Sequence, residues 1–348
     1  LKDVFFREME ITPPDIELNC AGENDAEITA QVISSLYNVL LELNPKAVVF
    51  LGDTNTVMGS IAAAQLNIPV VHIEGCMRSY DWRMPEEKYR TVIDHISDVI
   101  YAYLDDYKLQ GIAEGLNPQN IVVTGNPIVD VLDKYYFSRK DRYDAVATKS
   151  FFSNRDIQRY DYYLMTCHRR ENVHENTSLE NIMRLVESSG KKVYFPASYR
   201  TQRVLADMKI TVPSNLVIVD PVGYEEFLVL LTNSLGAITD SGTVVEEACV
   251  LGVPAIQMRK STERPQVYDV GASVKYDPSV LQGTSERIYF DKLERLSETR
   301  WEQPFGDGMA SEYIVDDLLS RLRNDGFSNH KPSDYHLDLW HSYRNDEL

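Results

Sequence analysis

The 348 residues suffice for two domains with a core each, and 43% hydrophobic against 25% charged residues marks a soluble globular chain. A formal net charge of -18 argues against a nucleic-acid backbone or an anionic membrane surface as partner, and no apolar run approaches the length of a bilayer span. The four cysteines (Cys20, Cys76, Cys167, Cys249) form no C-x-x-C pair and follow no secretory signal, so reduced thiols in a cytoplasmic protein without structural zinc are expected.

In chain order, Ile28, Val32, Ile33, Leu36, Val39 and Leu40 repeat at helical spacing and stop at Pro45. Ala47 to Leu51 is a continuous apolar run of strand length, followed by Gly52-Asp53-Thr54 and a helical stretch to Gln65. Further strands are expected at Val70 to Ile73, Val99 to Ala102 and Ile121 to Thr124, with helical segments between them. Residues 137–160 are polar and aromatic without a period and read as a linker. The rhythm restarts with strands at Tyr162 to Thr166, Val193 to Phe195, Leu216 to Val219, Leu235 to Thr239 and Ala255 to Met258. Tyr313, Ile314, Leu318, Leu319 and Leu322 mark a closing helix over 309–323, and the sequence from Asn324 onward is polar with scattered aromatics.

Short, continuously apolar strands alternating with helices predict an α/β protein of two doubly wound Rossmann-like domains, each a parallel sheet covered on both faces. The expected divisions are residues 1–140, residues 155–308, and a closing helix and tail over 309–348.

Ligands of such sheets gather outside the carboxyl ends of the strands. There the first half places Asp53, Glu74 and Gly125-Asn126, and the second places His168-Arg169-Arg170-Glu171, Ser198 and Ser241-Gly242. Acids in one half and anion binders in the other predict a cleft between domains, with a nucleotide on the second. Asp240 to Glu246 turns from a strand through Ser-Gly into a helix, which aims backbone N–H groups and the positive end of the helix dipole at a phosphate. Glu247 lies near enough for hydroxyls of the phosphate's carrier. A purely local reading also fits: Thr243 as N-cap with Glu246 as its capping-box partner.

Pro85-Glu86-Glu87 opens a helix, where acids can merely offset the dipole, but Glu86 and Arg90 are four apart and share a face. Asp53, Glu74 and Glu86 around one cleft can hold different protonation states and move a proton at carbon. His168, beside Arg169 and Arg170, can donate to a leaving diphosphate or be satisfied structurally at its strand end. His72 lies within an apolar strand and reads as structural. Phe227 opens a helix where an aromatic stacks on a base or joins the core, and Arg264 reaches a base or a phosphate or is a surface residue.

Together these segments resemble the non-hydrolysing UDP-N-acetylglucosamine 2-epimerase family, whose fold is similar to the GT-B glycosyltransferases. The match runs from about Val4 to Val270. Gly52-Asp53-Thr54 resembles H-G-D-T, Glu74 to Arg78 resembles E-A-G-L-R, and Pro85-Glu86-Glu87 with Arg90 resembles P-E-E-x-x-R. Thr124-Gly125-Asn126 resembles T-G-N, and His168 to Glu171 resembles H-R-R-E. Asp240-Ser241-Gly242 with Glu246-Glu247 resembles D-S-G-G-x-x-E-E, and Thr262 to Pro265 resembles T-E-R-P.

The resemblance implies catalytic roles for Asp53, Glu74, Glu86, Arg90 and His168. It implies UDP binding by Phe227, Ser241, Gly242, Glu247, Arg264 and Arg169. It further implies inversion at sugar carbon 2 through a glycal, no metal or redox cofactor, a cell-envelope polysaccharide pathway and a homodimer.

Departures from the pattern bear on these expectations. The family's opening strand and G-T-R-P-E loop have no counterpart, and Leu1 aligns inside the usual first domain, so the sequence as given is expected to lack a central strand. Leu51 replaces a His, Thr243 the second Gly of the phosphate loop, and Ser198 a His of a regulatory substrate site, so allosteric activation by substrate is not expected. The short segment Arg78 to Pro85 resembles relatives acting on 6-deoxy or 2,3-diacetamido UDP-sugars. A GT-B glycosyltransferase, a hydrolysing epimerase and an inactive nucleotide-sugar sensor are the rival readings; the acids and the Pro85 to Arg90 motif favour the non-hydrolysing epimerase.

Overall fold

The computed structural model describes residues 6, 8–173, 175–208, 210–324 and 326–327, with the side chain of Arg170 excepted. The tail read as polar from Asn324 onward lies mostly outside the described residues. Two compact units form: Ile128–Phe305 with the described residues before 14, and Pro14–Pro127 with those from Gly306 onward.

The unit of Pro14–Pro127 begins with the helix Asp25–Leu43. Its N-cap Asn24 accepts from the Glu27 N–H, and Asn44 ends it in the left-handed region just before Pro45. Four parallel strands follow, β1 (Val48–Leu51), β2 (Val70–Ile73), β3 (Val99–Ala102) and β4 (Ile121–Val123), adjacent in that order. Val48, Phe50, Val70 and His72 share one face by register, where Phe50 and Val70 pack on Val57, Ala62, Ala63 and Ile93. On the opposite face Val71, Val99 and Tyr101 are covered by Ile314 and Leu318 of the helix Ala310–Arg323, and the Tyr101 hydroxyl donates to Asp317 (2.9 Å). Val49 and Leu51, on that same face, stay exposed.

The other unit holds six parallel strands: β5 (Tyr162–Thr166), β6 (Lys192–Pro196), β7 (Leu216–Val219), β8 (Ala237–Thr239), β9 (Ala255–Gln257) and β10 (Ser273–Lys275). Their order is β10-β9-β8-β5-β6-β7, so the winding reverses between β5 and β8. Tyr162 and Leu164 enter one core while Tyr163 and Met165 enter another, which is why β5 is apolar at successive positions. Residues 137–160 form the short helices Lys140–Val146 and Lys149–Ser153, and Tyr143, Phe152 and Ile157 are buried in this unit's core. The chain passes between units at Pro13–Pro14, Pro127–Ile128 and Phe305–Gly306. Strand β10 was not expected, because Ser-Val-Lys is too short and polar to signal a strand. No helix among the described residues is long and apolar enough to cross a membrane.

Candidate functional site

The acidic residues stand on neighbouring strand ends of the β1–β4 sheet. After Leu51 the chain turns through Gly52 at φ 80, a conformation open to glycine, with its N–H on the Ile73 carbonyl (3.1 Å). A Cβ on Gly52 would stand 3.7 Å from Glu74 Oε2, so the Glu74 carboxylate lies beside the Asp53 turn. Glu74 (φ 76) and Cys76 (φ 64) are themselves left-handed, a strain of about 1 kcal/mol or more each that surrounding bonds must hold. The N–H groups of Glu74 and Gly75 donate to the Tyr101 carbonyl (3.2 and 3.1 Å), and that of Cys76 to Asp94 Oδ2 (3.0 Å).

Asp94 is buried and also receives His72 Nδ1 (2.7 Å) and Arg78 Nη1 (2.7 Å); Arg78 in turn grips Glu114 with Nε and Nη2. Burial pushes the Asp94 carboxyl up, but the charges and hydrogen bonds of His72 and Arg78 outweigh it and hold it below the usual range.

The helix Pro85–Ile96 separates its two adjacent acids by role. Glu87 is 1% exposed and accepts from Ser79 N and Oγ, Tyr80 N and Arg90 Nη1, so it fastens the preceding loop. Glu86 is half-buried, and its side chain has no hydrogen-bond partner among the described residues. Arg90, also buried, spans from Glu87 to Asp53, so it orients Asp53 as well as sharing a helix with Glu86.

The residues expected from the sequence to hold an anion lie at the β5/β8 reversal, where parallel sheets commonly take their ligands. Asp240, fully buried after β8, accepts from the N–H groups of His168 (3.0 Å) and Arg169 (2.9 Å) and from Asn172 Nδ2 (3.1 Å), and so fixes the turn after β5. The His168 ring is largely exposed, with Nδ1 3.5 Å from Asp240 Oδ1. Burial, then the charge of Arg259, lowers the pKa of Arg169, making a bound anion favourable there.

Ser241, not Thr243, caps the helix Gly242–Val250: its Oγ accepts from Val244 N (3.3 Å). Glu246 pairs with Arg264 Nε (2.6 Å), so the capping-box alternative does not hold, and Arg264 is buried rather than a surface residue. A Cβ on Gly242 would meet the Arg264 guanidinium at 2.6 Å, which explains a glycine at the helix start. Glu247, 4% exposed, accepts from the Tyr224 hydroxyl (2.7 Å), and burial raises its pKa to about 7. Phe227, in the helix Tyr224–Thr232, is half-buried and packs on the core of its unit. Ser198 caps the helix Tyr199–Asp207 through Thr201 N.

Asp53, Glu74, Glu86 and Arg90 are thus gathered in one unit; His168, Arg169, Ser241, Gly242 and Arg264 are gathered in the other, with Glu247 and Phe227 on helices of that same unit. Sequence reasoning missed Asp94 and Tyr224, and it named Glu87 and Asp240 within motifs without giving them their supporting role. Asp240 had a signal, as the residue between a strand and the phosphate turn. Asp94 had none, since its partners are 16 to 22 residues away.

The family model described as UDP-N-acetylglucosamine 2-epimerase matches residues 1–319. A UDP-N-acetylglucosamine 2-epimerase of Methanocaldococcus jannaschii is 36% identical over 324 residues, 90% of this chain and 86% of the relative. A UDP-2,3-diacetamido-2,3-dideoxy-D-glucuronate 2-epimerase of Pseudomonas aeruginosa is 29% identical, over 91% of this chain and 87% of the relative. A crystal structure of the Methanocaldococcus jannaschii UDP-GlcNAc 2-epimerase in complex with UDP-GlcNAc and UDP superposes with a TM-score of 0.80 at 34% identity. It covers 91% of this chain and 88% of that one.

Proposed function

The chain belongs to the UDP-N-acetylglucosamine 2-epimerase family, and from that premise we propose that it interconverts UDP-N-acetylglucosamine and UDP-N-acetylmannosamine without hydrolysis. The observation that carries this reading is the pair of acids Asp53 and Glu74 on adjacent strand ends, with the Glu86 side chain unpaired among the described residues while Glu87 and Arg90 hold the structure around it. A glycosyltransferase has no need of groups that remove a proton from carbon.

In the forward step a carboxylate among Asp53, Glu74 and Glu86 takes the proton from C2. The C2 electrons form the C1=C2 bond as the C1–O bond breaks, and UDP departs with that bonding pair. His168, Arg169, Arg264, the Ser241 hydroxyl and the Gly242 N–H meet the diphosphate charge, and Glu247 accepts from ribose hydroxyls while Phe227 borders the base. UDP then adds back to C1 of the 2-acetamidoglucal while a second carboxylic acid delivers a proton to the opposite face of C2. These steps call on acid–base and anion-holding groups alone, and we assign no cofactor or metal. A homodimer in the cytoplasm, serving envelope polysaccharide synthesis, belongs to the same proposal.

A second reading, a modified UDP-2-acetamido sugar as substrate, is favoured by the Pseudomonas aeruginosa relative and by the short loop 78–85. Incubation with UDP-N-acetylglucosamine, resolved by NMR, is expected to give a second UDP-sugar of manno configuration. Free sugar, or transfer to an acceptor, would overturn the proposal; turnover of the 2,3-diacetamido sugar alone would select the second reading.

A further inference from the structure

His72 is fully buried in β2, yet both its ring nitrogens meet oxygen acceptors: Nδ1 meets Asp94 Oδ1 at 2.7 Å and Nε2 meets the Gly52 carbonyl at 2.8 Å. A neutral imidazole carries one N–H, so in either tautomer a ring lone pair would face an oxygen lone pair in the absence of water. Only the doubly protonated ring satisfies both contacts. We propose that His72 is held as an imidazolium and acts as a positioning residue, tying the turn that carries Asp53 to the turn that carries Glu74.

The connections run through named bonds. Gly52 directly precedes Asp53. Asp94, on the helix Pro85–Ile96, holds Cys76 N and so the left-handed stretch that presents Glu74. The charged groups facing the ring are Asp94 from that helix and Glu74 from the end of β2 itself; Arg78 lies behind Asp94 and is balanced by Glu114. The neighbours across β1 and β3, Phe50 and Ile100, carry no charge. Burial disfavours the cation, but Asp94, the Gly52 carbonyl and Glu74 outweigh it, so the ring titrates above its ordinary value. A Cβ on Gly75 would stand 2.1 Å from Ile100 Cγ2, 3.0 Å from Asp94 Oδ1 and 3.3 Å from His72 Nδ1, so only glycine fits beside the His72–Asp94 pair. Loss of the Nε2 proton at alkaline pH would set the ring against the Gly52 carbonyl and displace Asp53.

The positioning role rests on the epimerase reading; the charge on the ring does not. The test records long-range proton–nitrogen correlations of the histidine rings in the 348-residue chain over about pH 6 to 10, beside kcat over the same range. Both His72 nitrogens should be protonated near neutrality, with a titration midpoint that coincides with the alkaline fall of kcat. Asp94→Asn should move both midpoints down together. His72→Gln should lower kcat about 10- to 100-fold while the Kd for UDP changes less than about twofold.

A ring with a single N–H at neutral pH overturns the proposal, as does His72→Gln with wild-type turnover. Should neither variant fold, the wild-type midpoints decide: coincidence supports the role, and separation by more than about one pH unit overturns it. A wild-type protein that turns over neither UDP-sugar defeats the epimerase reading and the positioning role together, while a doubly protonated ring still establishes the charge.

Discussion

At residue scale, Glu247 carries a pH signature. Its carboxyl is buried against Tyr224 and its pKa is raised from 4.5 to about 7, so between those values the folded chain holds a proton that the unfolded chain releases. Stability therefore falls as pH rises from 4.5 towards 7 and is level in this contribution above it, a loss on the order of 3 kcal/mol. Glu247→Gln, which does not titrate, should gain on the wild type by that order between pH 4.5 and 8 in denaturant midpoints. An unchanged difference across the range would contradict the burial argument.

Glu86 and Glu87 make a second contrast at this scale. Glu86→Gln should abolish C2 proton exchange with an unchanged melting temperature and UDP affinity. Glu87→Gln should cost about 3 kcal/mol, since it breaks a buried charge pair with Arg90 and weakens the grip on the loop at Ser79 and Tyr80. If the two variants behave alike in calorimetry, the division of roles is wrong. The motif made both acids visible in the sequence. Which one faces inward depends on the helix's rotation against the loop at Ser79 and Tyr80, a tertiary fact that spacing does not encode.

At the scale of elements, the helix Gly242–Val250 and its Ser241 cap carry groups proposed to hold the diphosphate. Ser241→Ala removes the cap acceptor, at about 1 kcal/mol of stability, and a donor to phosphate, which should weaken UDP about tenfold. Calorimetric titration with UDP measures it; undiminished affinity would place the diphosphate elsewhere. The strands were legible because most are buried on both faces, as Tyr162 to Met165 illustrate, so apolarity is continuous. β10 and the helices within 137–160 were not, since their apolar residues are sparse and their place is set by a core assembled from distant segments.

At the scale of the whole molecule, the proposed roles divide between the two units: the acids are carried by Pro14–Pro127 and the turn proposed to hold the anion by Ile128–Phe305. A net charge of -18 leaves a bound phosphate to local groups, for which Arg169, Arg264 and the capped helix start are proposed. The most direct test of C2 deprotonation is incubation with UDP-N-acetylglucosamine in heavy water, followed by NMR at carbon 2. Deuterium at C2 of both the gluco and manno UDP-sugars is predicted. Epimer formed with the C2 proton fully retained from substrate would contradict the account.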